Sequence, residues 1–206
     1  MRNANSVNVC AELIGQGIRF HHGKVNFKLP GTQTKVDFRK DFNLRKNAKL
    51  FLCRKYRYAL WRTWDDSKAY AMIIGLNPST ADETKDDPTL IRCINFAKAW
   101  GYGGVCMANL FAFRATDPSD MKGSSDPIGM ENNIWLAKLS KDAGVVVAAW
   151  GNDGAYLGRS STVKDILPNL YCVKMNKSGE PAHPLYLKGN LIPIPMTCSK
   201  GGTSGV

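Results

Sequence analysis

Four stretches of the chain are apolar on consecutive positions rather than on alternate ones: "AYAMIIGL" (69–76), "VCMANLFAF" (105–113), "VVVAAWG" (145–151) and "LYCVKMN" (170–176). Runs of this kind predict strands buried on both faces. Between them the apolar period lengthens to that of a helix. "DPTLIRCINFAKAWGYGG" places Leu90, Ile94, Phe96 and Ala97 on one stripe and ends in Gly101–Gly104. "DPIGMENNIWLAKLSKDAG" is a second helix closed by Gly144, and "YLGRSSTVKDIL" a third. "KYRYALWRTW" reads as a further strand before the first buried one, with "DDSK" as its turn. Strands alternating with helices predict an α/β fold of three layers, α/β/α, around a mostly parallel four-stranded central sheet.

Residues 1–49 have a different texture and read as a basic N-terminal extension. "GIRFHHGKVNFKLPG" has the weak alternation of a hairpin. "KVDFRKDFNLRKNAK" is basic with interspersed Phe, which suits either a solvated face or an arm on phosphate. Residues 50–196 form the main domain, and residues 197–206, polar and rich in Gly, read as a flexible tail.

The balance of 28 Lys and Arg against 17 Asp and Glu, a net charge of +11, points to a polyanionic partner. The six cysteines, at 10, 53, 93, 106, 172 and 198, include no C-x-x-C pair, and several lie in apolar runs. That pattern reads as reduced, buried thiols in a cytoplasmic protein, with no metal or iron–sulfur cofactor. The N-terminus lacks an apolar signal region, and no apolar run approaches membrane-spanning length, so no membrane partner is expected.

In a parallel sheet, ligands bind beyond the carboxyl ends of the strands. Four segments lie there. In "GLNPS", Gly75 lets the backbone approach a ligand, Pro78 sets the turn, and Asn77 offers an amide to a water or a base edge. The plain alternative is a simple Asn-Pro turn. In "ANLFAFRATDP", Asn109 must find partners within an apolar strand end, either backbone or ligand. Arg114 can grip phosphate or pair with Asp117. Trp150 in "AWG" packs in the core or stacks on a base. In "HPLYLKGN", His183 is held before Pro184 and can donate to a developing anion, while Tyr186, Leu187 and Lys188 suit a loop that enters nucleic acid.

In this order and at these strand ends, the motifs resemble the uracil-DNA glycosylase superfamily. "GLNPS" is most similar to the first motif of mismatch-specific members, and "HPLYL" matches the first two positions of the H-P-S-like second motif. "VCMANLFAFRATDP" and "VVVAAWGNDGAYLG" resemble segments of the thermostable members, whose iron–sulfur cysteine pattern is absent. The chain also resembles a bacterial and phage group sharing L-N-P-S-T-A-D … H-P-L-Y-L. The resemblance spans residues 50–195. It implies a monofunctional DNA N-glycosylase without cofactor, acting on DNA as a monomer. Asn77 and His183 would be its catalytic pair: Asn77 orients water and His183 stabilises the departing base. Gly75, Leu76, Ser79, Asn109 and Trp150 would bind the base. Leu187 would be the wedge behind a flipped nucleotide, with Tyr186, Lys188 and Arg114 at the DNA backbone.

Uracil-specific members carry an aromatic shortly after the first motif, where this chain has Ser79, Thr80 and Ala81. The departure implies a bulkier, 5-substituted pyrimidine, such as a hypermodified cytosine in invading phage DNA. Uracil or mismatch repair is the alternative within the same chemistry. Two other readings compete with it. One is a metal-dependent nuclease or phosphodiesterase using Asp82, Glu83, Asp86 and Asp87. The other is a binder of modified DNA that performs no reaction.

Overall fold

The structure, a computed structural model, describes residues 45–50, 53–79, 81 and 84–196. The hairpin and basic arm expected before residue 45, the tail after 196, Cys10, Cys198, Thr80, Asp82 and Glu83 lie outside the described residues.

The buried apolar runs form the middle of a mixed, seven-stranded sheet. Its strands are β1 (Arg45–Leu50), β2 (Arg57–Thr63), β3 (Tyr70–Gly75), β4 (Gly104–Asn109), β5 (Ala143–Ala148), β6 (Tyr171–Cys172) and β7 (Ile194–Pro195), in the order β1-β2-β4-β3-β5-β6-β7. Pairs β3–β4, β3–β5 and β5–β6 are parallel, whereas β1–β2, β2–β4 and β6–β7 are antiparallel. The sheet is therefore wider than the four strands expected from the buried runs. Residues 45–49, read from sequence as part of the extension, lie in an exposed edge strand whose polar side chains carry no apolar signal. The segment "LYCVKMN" contributes only Tyr171 and Cys172 to its strand.

Helix α1 (Pro88–Ala99) joins β3 to β4. A short helix α2 (Pro118–Lys122) and α3 (Asn132–Lys141) lie between β4 and β5, and α4 (Arg159–Ile166) follows β5. Alternation along β3 divides the core in two. Ala71 and Ile73 pack with Leu90, Cys93, Phe96 and Ala97 of α1. Met72 and Ile74 pack with Leu136 and Leu139 of α3 and Val163 of α4. Helices thus cover both faces. Burial pushes the thiols of Cys93 and Cys106 up, which keeps them protonated packing groups, while Cys53 is exposed. Among the described residues no helix is long and apolar enough to cross a membrane.

Helix α1 starts where sequence places it because Asp87 caps it, accepting from the Leu90 amide at 2.7 Å, with Pro88 in the first turn. Helix α4 begins three residues later than "YLGRSST" suggests. Leu157 and Gly158 both adopt positive φ, 54° and 64°, and turn the chain before Arg159.

The loop from β3 to α1 is tied to the antiparallel side of the sheet. Arg62, whose side chain is fully buried in β2, donates to Asp86 from Nε at 2.8 Å and Nη2 at 2.6 Å, and Lys46 of β1 adds a longer contact at 3.4 Å. Removing the carboxylate takes two short charge-assisted hydrogen bonds from a fully buried guanidinium. Asp86→Ala is expected to lower unfolding free energy by about 3 kcal/mol, read as a lower urea midpoint at an unchanged slope.

Candidate functional site

The chain leaves β3, returns as β4 on one side, and then crosses to β5 on the other. This reversal opens a crevice beyond the carboxyl ends of β3 and β5. Backbone bonding continues past the strands there: Leu110 N–H donates to Gly75 O, Phe111 N–H to Leu76 O and Ala149 N–H to Ile74 O, at 2.8–2.9 Å. A cavity of about 620 Å³ occupies the crevice. Of the residues expected from sequence, it gathers Gly75, Leu76, Asn77, Ser79, Asn109, Trp150, His183 and Tyr186.

Asn77 is fixed by a double latch to the chain beyond β4. Its Nδ2 donates to the Ala115 carbonyl at 2.8 Å, and the Ala115 amide donates to the Pro78 carbonyl at 2.9 Å. The carboxamide nitrogen is thus spent on scaffold, leaving Oδ1 as an acceptor that can hold a water's proton.

Asn109 ends β4 directly opposite Gly75 of β3. Its side chain lines the cavity at only 3% exposure, and its Nδ2 has no hydrogen-bond partner. A buried donor left open carries a desolvation cost of about 1–3 kcal/mol, which a ligand acceptor would offset. Gly75 makes the placement possible, because a Cβ there would lie 3.0 Å from Asn109 Oδ1. The strand behind it is braced: Asn132 Nδ2 donates to the Asn109 and Leu110 carbonyls, and the buried Arg159 Nε also donates to Leu110 O.

His183 sits at the head of a 3-10 turn, Pro184–Tyr186, with its Nδ1 accepting from the Leu185 amide. An accepting Nδ1 puts the proton of the neutral ring on Nε2, the nitrogen free to donate. Burial lowers the His183 pKa below its ordinary 6.5, and the nearby Asp87 carboxylate opposes this more weakly. The neutral donor tautomer therefore prevails at neutral pH.

Three charged lining residues, Arg57, Asp87 and Asp153, were not expected as site residues. Arg57, buried at the start of β2, donates to the Ala81 carbonyl and brings a cation to the wall. A charge inside the apolar "KYRYALWRTW" was its only sequence signal. Asp87, singled out in sequence only as a possible metal ligand, instead caps α1 while facing the cavity. Asp86 is neutralised by Arg62 and Lys46. Among the described residues no three of His, Cys, Asp or Glu are grouped so as to hold a metal ion.

The remaining expected residues are distributed differently. Trp150 is 2% exposed, and its Nε1 donates to the Glu180 carboxylate at 2.6 Å, so it walls the cavity as a core residue. Arg114 lies in an adjoining hollow with Ser79 and Thr116 and bonds the Arg54 carbonyl, while Asp117 caps α2. Leu187 packs on the α1 side of the core with its carbonyl bound by Arg92, and Lys188 is exposed. Tyr186, 86% exposed, stands at the cavity rim with its ring 6.3 Å from that of His183.

Two amides, an imidazole N–H and a guanidinium around one cavity suit a flat, polar heterocycle whose edge offers both donors and acceptors. The lowered His183 pKa also has a consequence for stability. Below pH 6.5 the unfolded chain takes the proton before the folded one, so the folded state loses stability as pH falls from 6.5 toward the depressed value. Wild-type protein is expected to lose stability relative to His183→Gln over that interval and to match its pH dependence above it, in denaturation series at stepped pH.

The sequence model of the family described as "Protein of unknown function (DUF1643)" matches residues 57–185. No curated protein and no solved structure matches the chain. The matched span contains every residue lining the cavity except Tyr186; the chain belongs to the DUF1643 family.

Proposed function

We propose that this protein is a monofunctional DNA glycosylase that takes a modified pyrimidine into the cavity and hydrolyses its N-glycosidic bond, leaving an abasic site. The observation that carries the reading is the convergence of Asn77, Asn109 and His183, from the ends of β3 and β4 and from the loop after β6, on one cavity. The finer fold assignment belongs to the same proposal: the parallel strands β4-β3-β5-β6 would be the central layer of a uracil-DNA glycosylase-like α/β/α domain.

In this reading the bond from the sugar C1′ to the base nitrogen breaks first, and its electron pair leaves with the base. His183 Nε2–H donates to the base oxygen on which negative charge collects, a term worth about 10²–10³ in rate when such a donor is removed. Asn77 Oδ1 holds a water against the cationic sugar. A carboxamide is no general base, but an oxocarbenium-like centre demands little of its nucleophile. The water's oxygen bonds C1′ and its proton is lost to the departing base or to solvent. The open Nδ2 of Asn109 donates to the base edge. Small side chains at Ser79 and Ala81 leave room beside the ring, which favours a 5-substituted pyrimidine over uracil alone. Tyr186, exposed at the rim, replaces Leu187 as the side chain offered to the gap in the DNA stack. The net charge of +11 serves phosphate contact.

Oligonucleotides carrying uracil or 5-substituted cytosines, single- and double-stranded, test the proposal when treated with alkali after incubation. Strand breaks at the modified base are expected with wild-type protein, and a loss of at least about 10²-fold in rate with Asn77→Ala or His183→Ala. Tyr186→Ala should weaken DNA affinity while leaving the fold intact. Salt-sensitive binding without any abasic product would instead favour the non-enzymatic binder.

A further inference from the structure

Glu180 is not among the residues lining the cavity, yet its carboxylate is held on three sides. It is 9% exposed. Oε2 accepts from Trp150 Nε1 at 2.6 Å, Oε1 accepts from Ser160 Oγ at 2.7 Å, and Lys164 Nζ stands 3.7 Å from Oε1. These partners come from the end of β5 and from two turns of α4. Burying a carboxylate is costly unless it is bonded in this way, and an apolar side chain would fill the space without that cost.

Three residues further along lies His183. The intervening backbone runs as a short bridge: Gly151 N–H donates to Pro181 O at 2.9 Å, and Ala182 N–H donates to Lys174 O at 2.8 Å. Gly151 has φ +75° and His183 Cβ stands 3.8 Å from where its own Cβ would be. The Trp150 ring is set in turn by Gly154, where any side chain would overlap it. Two lateral ties therefore link the β5 end to the His183 segment at this level, Gly151 to Pro181 and Trp150 to Glu180.

We propose that Glu180 is a positioning residue for His183: by clasping Trp150 and Ser160 it fixes the segment that aims the imidazole into the cavity. The proposal rests on reading His183 as the group that stabilises the departing base. Hydrogen bonding rather than charge is what the clasp requires. A glutamine at 180 can accept from Trp150 and donate to Ser160, whose hydroxyl turns to accept.

The test compares Glu180→Ala with Glu180→Gln by NMR titration of the His183 ring without substrate, and by kinetics on the modified oligonucleotides. The groups facing His183 across the cavity wall are Arg57, Asp87, Asp153 and Tyr186, and all are unchanged in both variants. In Glu180→Ala the loosened imidazole is expected to titrate closer to 6.5, with kcat lowered about 10- to 100-fold and KM held within about threefold. Glu180→Gln should restore both. A purely structural Glu180 would lower the melting temperature of Glu180→Ala but leave its His183 titration and the kcat of folded protein at wild-type values, and that result overturns the proposal. Should Glu180→Ala not fold, Trp150→Phe removes the donor and keeps the ring bulk, and a His183 titration identical to wild type overturns it equally. If wild-type protein releases no base from any substrate, the glycosylase reading falls, while the substrate-free titration still decides the role of Glu180.

Discussion

The connections after the neighbouring parallel strands β3 and β5 run to opposite faces of the sheet, to α1 and to α4, and so cannot both cover the strand ends between them. This constraint of connectivity opens the crevice, and most of what is distinctive in the molecule follows from it. Backbone groups beyond the last strand pairs need partners, and the chain supplies them by carrying the ladder one or two residues further. The loops that do so, after Gly75, Asn109 and Trp150, become rigid walls. Polar side chains on such walls keep their orientation without a ligand, which is the condition for a preorganised site.

Two buried arginines near the crevice bond backbone carbonyl oxygens. Arg57 bonds the Ala81 carbonyl, and Arg159 the Leu110 carbonyl. Arg159 has its pKa drawn down to about 10 by burial, yet that leaves it charged at neutral pH. A cation held by a carbonyl dipole keeps more of its positive potential than one cancelled by a carboxylate, and Arg159 bonds the chain just beyond the β4 end. This local field adds to the basic surface in favouring an electron-rich ligand.

The sequence made the centre of this fold legible because unbroken apolar runs have one reading: strands buried on both faces, joined by crossovers. Their ends locate Asn77, Asn109 and His183 on one edge of the sheet, and those are the residues that meet. Strand β1 was hidden because "RKNAKL" is an exposed edge, held by backbone pairing rather than by burial. Arg57 and Glu180 were hidden because nothing local distinguishes a buried charge from a solvated one; their partners lie 24 and 20–30 residues away. The roles of Tyr186 and Leu187 could not be separated in sequence, since Tyr186 ends a 3-10 turn, Leu187 leaves it in extended backbone, and only the tertiary packing decides which faces inward.

Asp87 joins two tasks in one side chain. The same carboxylate that closes the first turn of α1 also lends negative charge to the cavity wall beside His183. Few substitutions at this position would keep both tasks. Serine and threonine keep the cap and discard the charge, glutamate keeps the charge with a poorer cap, and asparagine alone preserves both the shape and the hydrogen bond while making the site neutral. An exchange between Asp and Asn at position 87 is therefore the route by which relatives could retune the polarity of the cavity without having to rebuild the helix beneath it.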